Sequence, residues 1–480
     1  MGKKVLLPFV LFTTLMYAQS IDADLDGFDD NPLEVVASSS HTDDMAGFDD
    51  EPMVESSQND VNESSGKISS DDITTDLDKH EENDESAVDT IISGFTGKLT
   101  EQVTYAYNGK KPHNNFTGLK SSLLLDYEHK FENNWRFKIN AKAYYDAIYD
   151  IRNEIYSQDE LDEQRSEIRL YDAYVEGSIS EKIDIKLGRQ VVVWGRSDTI
   201  RITDILNPLD NRRPAIVDIE DLRLPVTMAK LDFFIGDWRI TPIAILEQFF
   251  SLNPAFGSTF NPLPNPNLEE KKYADVTYAL SVGGEFAGWD VNFYAARVRD
   301  DVGYVNFSSR PTLVHDKVNM FGTALNVISG SWLLKTELAY LDGLKYTSTQ
   351  DKLYSRIDAL IGVEYNGIAD TLISYDISLR HLNNYDKILL NEFNPLEKDT
   401  YQQAFRISTD FVNDTINANY LISLFGKKLS EGGFQRVWIK YDLADGINVN
   451  VGVVDYIGGS TLFDTVKDSD MIFADISYSF

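Results

Sequence analysis

The chain has 480 residues, no cysteine, and 77 Asp+Glu against 44 Lys+Arg, a formal charge of −33. The absence of cysteine excludes a disulfide scaffold, a thiolate zinc site and a cysteine nucleophile. The acidic balance argues against nucleic acid as a partner, because phosphates need a basic face.

Residues 1–20 carry Lys3 and Lys4 ahead of an apolar run from Val5 to Ala18. That is the layout of a secretory signal peptide, expected over 1–18, and the run is too short to span a bilayer as a helix. Residues 19–90 follow as an acidic segment of disorder composition, with 23 acids against two lysines between 21 and 90. Within it Gly27-Phe-Asp-Asp-Asn-Pro32 recurs as Gly47-Phe-Asp-Asp-Glu-Pro52, so Phe28 and Phe48 could anchor a periplasmic partner. Asp22, Asp24, Asp26 and Asp30 around Gly27 form part of a calcium loop, although Leu33 stands where the bidentate Glu belongs. A solvated spacer, a paired linear motif and a calcium site therefore stand as alternatives. No other cofactor is expected.

From residue 91 the pattern changes to period two. Over 135–150 the odd positions Trp135, Phe137, Ile139, Ala141, Ala143, Tyr145, Ala147 and Tyr149 are apolar. The even ones include Arg136, Lys138, Lys142, Asp146 and Asp150. A strand puts these sets on opposite faces. Ile357, Ala359, Ile361 and Val363 oppose Arg356, Asp358 and Glu364 in the same way. A soluble sandwich could also alternate. The expected strands are longer than soluble strands, however, and their connections alternate short and long, as outer-membrane barrels require.

Short turns fall near Glu132–Asn134, Ser180–Lys182, Gly236–Asp237, Ala287–Gly288, Ser329–Ser331, Gly367–Asp370, Asn413–Asp414 and Ala444–Gly446. Trp135, Trp238, Trp289 and Trp332 each follow one of them, which places four indoles at one rim. With the longer connections between, the count gives a transmembrane antiparallel β-barrel over 91–480 of about 18 strands, with 16 or 14 as alternatives. The last ten residues alternate to end in Tyr478 and Phe480, like a terminal strand read by the outer-membrane insertion machinery. Lipid of that membrane and the insertion machinery are thus expected partners.

One connection, 197–224, does not read as a surface loop. It carries Arg201, Arg212, Arg213 and Arg223, with Arg196 just before it, beside Asp204, Asp210 and Asp218. It also holds apolar Ile200, Ile202, Ile205 and Leu206. Folding into the lumen would satisfy both sets; packing on the extracellular rim is the alternative.

Gly188-Arg-Gln, Trp194-Gly195, Asn207-Pro-Leu-Asp210 and Arg213-Pro214 resemble a poorly characterised family of proteobacterial outer-membrane barrels, matched most specifically over 187–225. Its members are often found beside RND-class exporters and a periplasmic lipid-carrier-like protein. The resemblance implies hydrophobic-compound or lipid transport, for which Tyr144, Ile148, Trp194 and Trp438 are the inward-phase apolar candidates.

The residues themselves point to a porin-like channel for small solutes. Its constriction would be formed by the loop charges with Arg136, Lys138, Arg356, Asp358 and Arg436. Lys142, Glu364, Lys440 and Asp442 are further lumen candidates. Six histidines without a nucleophile or zinc pattern give no support for an enzyme.

Overall fold

A computed structural model describes residues 94–480 apart from 111, 132, 217–221, 308 and 309. The expected export signal, the acidic segment with Asp22, Asp24, Asp26 and Asp30, and Asp218 lie outside the described residues.

Among the described residues the chain forms twenty-one strands: β1 Phe95–Ala106, β2 Asn115–Phe131, β3 Trp135–Asp146, β4 Ser166–Ser180, β5 Ile183–Gln190, β6 Val226–Ile235 and β7 Trp238–Ile245. They continue as β8 Glu269–Glu270, β9 Thr277–Phe286, β10 Trp289–Arg299, β11 Tyr304–Asn306, β12 Thr312–Val314, β13 Lys317–Ser329 and β14 Trp332–Leu344. The remainder are β15 Tyr354–Ile368, β16 Thr371–Asn383, β17 Asp399–Phe411, β18 Ile416–Phe425, β19 Gly433–Ala444, β20 Ile447–Ile457 and β21 Met471–Ser479. The short strands β8, β11 and β12 make a separate small sheet within the long connections. The other eighteen each pair antiparallel with their neighbours in chain order, and β1 pairs with β21, so the barrel closes with the expected strand number. Closure leaves no sheet edge for lipid to meet.

The expected turns are present, and β3, β7, β10 and β14 each begin with one of the four tryptophans. The first strand and the C-terminus are tied at the same rim. Gly97 and Phe480 exchange backbone hydrogen bonds of 2.7 and 2.9 Å. The Phe480 ring lies over Gly97, where a Cβ would fall 2.4 Å from it, so a side chain at 97 would displace the ring.

Strand phase is readable from exposure: on β15, Ile361 is 59 % exposed while its neighbour Leu360 is 2 % exposed. Apolar outward faces of this kind form the lipid-facing band. A carboxylate in the middle of β1 interrupts it. Glu101 is paired across β1 with Ser121 and Ile476, in phase with Leu99 and Val103, and accepts a hydrogen bond from Ser121 Oγ at 2.7 Å. A charge on this face destabilises the inserted barrel, so Glu101→Leu should raise stability in lipid by about 1–2 kcal/mol. Urea unfolding of liposome-inserted protein measures the sign, and a destabilised variant would refute the outward placement.

The sequence pattern over 135–150 needs correction at its end. β3 stops at Asp146, and Ile148–Ile151 forms one helical turn, so Ile148 is buried in a loop rather than on a lumen wall. Asp146 causes the break. Its carboxylate accepts from the backbone N–H of Leu119 at 2.8 Å and of Ile148 at 3.3 Å, which bends the chain inward.

Candidate functional site

The long β5–β6 connection enters the barrel. β5 is only eight residues long, and the chain leaves the wall after Gln190. Two features turn it. Gly188 has φ +134°, and a Cβ there would lie 2.2 Å from the Ala173 carbonyl oxygen. Asn207 then ties the loop's two ends, accepting from Val192 N–H at 2.8 Å and donating to the carbonyls of Gln190 and Leu224 at 3.3 and 2.9 Å.

Beyond Gln190 the apolar residues dock on the wall. Val192, Trp194, Ile200, Ile202 and Leu206 join one buried cluster with Met228, Ile243, Met320, Leu341, Leu360 and Leu382, which belong to strands from β6 to β16. Trp194 stacks on Tyr294 of β10 at 4.6 Å between centroids. Each such side chain, fully buried, contributes about 1.5–3 kcal/mol. These contacts seat the loop's apolar half against the buried faces of those strands.

The loop's apex is held by a carboxylate. Glu337, 4 % exposed on β14, accepts from the backbone N–H groups of Arg196, Ser197 and Thr203 at 2.6, 3.0 and 3.2 Å, and from the Thr203 hydroxyl at 2.8 Å. The loop can come this close because Gly195, at φ +97°, has no Cβ; one would stand 2.8 Å from a Glu337 oxygen. Asp376 of β16 accepts from the hydroxyls of Ser197 and Thr199 at 2.7 and 2.6 Å. Arg196 pairs with Asp290 of β10, and Lys335 pairs with Asp198 at 3.1 Å and with Glu364 at 2.6 Å.

Within the loop, Asp204 bridges Arg201 and Arg223 at 3.1 and 2.9 Å. The second half crosses to the opposite wall. Arg212 engages Asp210 at 2.6 Å and Glu167 of β4 at 2.8 Å, and donates to Tyr144 at 3.2 Å. Arg213 pairs with Asp146 at 2.8 Å, and Tyr456 of β20 donates to the Pro214 carbonyl at 2.6 Å. A chain fixed to β10, β14 and β16 on one side and to β3, β4 and β20 on the other spans the lumen.

The strand candidates also face inward. Arg136 pairs with Glu176, Lys138 with Asp126 at 3.1 Å, and Arg356 with Asp358 at 2.7 Å. Arg436 lies over the Trp438 ring at 4.0 Å and over Phe473 at 5.3 Å. Glu337, Asp376, Asp290, Asp146 and Glu167 were not among the expected site residues. Their signal was an acid at inward strand phase, which becomes informative only once the partner loop is known.

Above the lumen, the connection between β3 and β4 carries a helix, Gln158–Gln164, capped by Ser157 and Glu160. Glu160 is buried beside His113, 4.0 Å from its Nδ1. Burial pushes the Glu160 carboxyl up to about 7, against the opposing hydrogen bonds from Ser157 and the charge of Arg213. A carboxyl whose folded pKa is raised stabilises below its unfolded value, and that contribution is lost as pH rises through the folded one. The helix should thus protect its amides better at pH 5 than at pH 8, after correction for intrinsic exchange. Hydrogen exchange tests this, and Glu160→Gln should flatten the dependence. An unchanged pH profile in that variant would assign the effect elsewhere.

Among solved structures, the chain is similar to Pseudomonas aeruginosa OccK11 (OpdR), at 11 % identity and TM-score 0.47, covering 80 % of this chain and 95 % of that one. It is similar to Acinetobacter baumannii OccAB3 at 11 % identity and TM-score 0.49, with 80 % and 98 % covered. P. aeruginosa OpdK, solved with vanillate, matches at 11 % identity and TM-score 0.47, again with 80 % and 98 % covered. No curated protein matches the chain. The family model that matches spans residues 107–480, every barrel strand after β1 with the inner loop, and the chain belongs to that family, described as "Protein of unknown function (DUF1302)".

Proposed function

We propose that this protein is an outer-membrane channel that passes small polar solutes through a lumen narrowed by the 191–225 loop. The carrying observation is how the lumen is divided. The loop's apolar half packs against β6 to β17 and leaves that side filled. The opposite inward faces hold half-buried polar pairs: Asn140 with Asp172 at 3.2 Å and Asn450 with Asp475 at 3.0 Å. Hydrogen-bonded polar side chains facing the loop across the barrel suit a water-filled path.

The hydrophobic-transport reading drew on Tyr144, Ile148, Trp194 and Trp438. Trp194 and Trp438 are 4 % and 1 % exposed, and Tyr144 hydrogen-bonds Arg212. Ile148 lies on the helical turn above β3. These four do not make a continuous apolar route, so they do not favour that reading. The test is single-channel recording of the refolded mature chain in a planar bilayer. Steady current proportional to salt is expected. Silence from folded, heat-modifiable protein would contradict a channel.

A further inference from the structure

A cavity of about 50 Å³, partly open rather than sealed, lies between the barrel wall and the second half of the inner loop. Thr104 and Ala106 of β1, Thr117 of β2 and Met471 of β21 form its outer side, and Arg213 and Ile216 its inner side. The connections above the lumen roof it with His113, Tyr156, Glu160, Gln164, Phe260 and Ser469. That roof is preformed. Arg152 donates to the carbonyls of Pro112, Asn114 and Phe116 at 2.9, 2.7 and 2.7 Å, which ties the β1–β2 connection to the β3–β4 one. Ser157 donates to the Phe256 carbonyl at 2.7 Å, which adds the connection after β7.

The lining is rich in neutral hydrogen-bonding groups. Tyr149 donates to the Gln164 carbonyl oxygen at 2.6 Å, and the Gln164 amide NH₂ makes no hydrogen bond among the described residues. Gln164 is itself 8 % exposed. The Tyr156 hydroxyl is buried and likewise unpartnered. Buried Ser258 and Ser469 add hydroxyls that can donate as well as accept. The Tyr156 ring, 4.5 Å from that of Tyr149, and the Phe260 ring give an apolar surface for the carbon atoms of a solute.

The charged groups around this space are engaged or shifted toward neutrality. Arg213 pairs with Asp146 at 2.8 Å and donates to Tyr149 at 3.3 Å. Burial, with the Arg152 charge, holds His113 below the usual imidazole range, and burial raises the Glu160 carboxyl. An ion entering here would lose its water without meeting a free counter-charge, whereas a neutral solute would exchange one set of hydrogen bonds for another. At about 10–15 Å³ for each water, the cavity takes about three to five waters. A three-carbon polyol is of that size, and a six-carbon one is not.

We propose that this cavity is a binding site for a small neutral polyol of glycerol size. The inference rests on the channel reading and names a solute class for it. Met471 in the cavity wall and Asp475 in the polar path lie on the same face of β21, four residues apart. A polyol held by Gln164, Tyr156 and Ser469 is thus poised over the hydrogen-bonded polar side of the lumen.

Hydrogen exchange of the refolded full mature chain in detergent, with glycerol as the probe, tests the site without using transport. Glycerol should slow exchange over 158–164 at least about threefold and saturably, while sorbitol at equal molality should not. Tyr156→Phe removes the unpartnered hydroxyl and should raise the half-saturating glycerol concentration about fivefold. Ser469→Leu, which fills the cavity, should abolish the effect. Swelling of proteoliposomes reports the channel separately, with glycerol entering faster than into empty liposomes. Glycerol-specific protection without permeation would sink the channel and keep the site. Equal slowing by sorbitol, or slowing by neither, would assign the cavity to water alone and overturn the site while leaving the channel. Protection that survives both substitutions would overturn the site as well.

Discussion

Glu337→Ala should loosen the apex of the inner loop on the wall while leaving the barrel folded. The substitution removes the acceptor of four hydrogen bonds, three of them from successive or nearby backbone amides at the loop apex. Hydrogen bonds to a charged group contribute about 1.5–3 kcal/mol each, and they are not additive within one carboxylate. The apolar contacts of Trp194, Ile200 and Ile202 remain, so the loop should fluctuate rather than leave the lumen. Conductance should rise at least about twofold with a noisier open state, because the narrowest section is then bounded by a mobile segment. An unchanged, quiet conductance would mean that the loop does not set the limiting cross-section.

Asp146→Ala should carry the largest stability loss of any single change discussed. Asp146 is fully buried, bends the chain at the end of β3 and balances Arg213. Removing one partner of a buried pair leaves an uncompensated charge and costs about 3–5 kcal/mol. Adding Arg213→Leu should restore part of that, since the stranded guanidinium is then gone, although the Leu119 and Ile148 amides stay unsatisfied. Urea unfolding of the single and double variants gives the comparison. A double variant no more stable than Asp146→Ala would place the cost in the chain bend rather than the ion pair.

The fold was legible because a membrane barrel repeats one simple rule. Period-two alternation, turns marked by Asn, Asp and Gly, and tryptophans after those turns are each local, and together they fix strand number and rim. The C-terminal Phe480 was legible for the same reason. The loop's mixture of isoleucines with arginines and aspartates was legible as a segment with both apolar and charged partners, with lumen and rim both open to it. Its attachment points were not. Glu337 and Asp376 look like any inward acid until the loop's path is known, and the two ends of each contact lie 134 to 179 residues apart. The alternation across 135–150 misled at one place, since a buried carboxylate at Asp146 reroutes the chain without breaking the pattern of side chains.

A disulfide tests most directly whether the loop lies inside the barrel. The chain has no native cysteine, so Ser197→Cys with Asp376→Cys introduces a single possible pair, at positions whose side chains now hydrogen-bond at 2.7 Å. The pair should oxidise spontaneously in the folded protein, shift its gel mobility reversibly with reductant, and resist a membrane-impermeant maleimide added outside cells. A cysteine at 197 that stays reduced and labels readily from outside would place the loop on the extracellular rim and contradict the account.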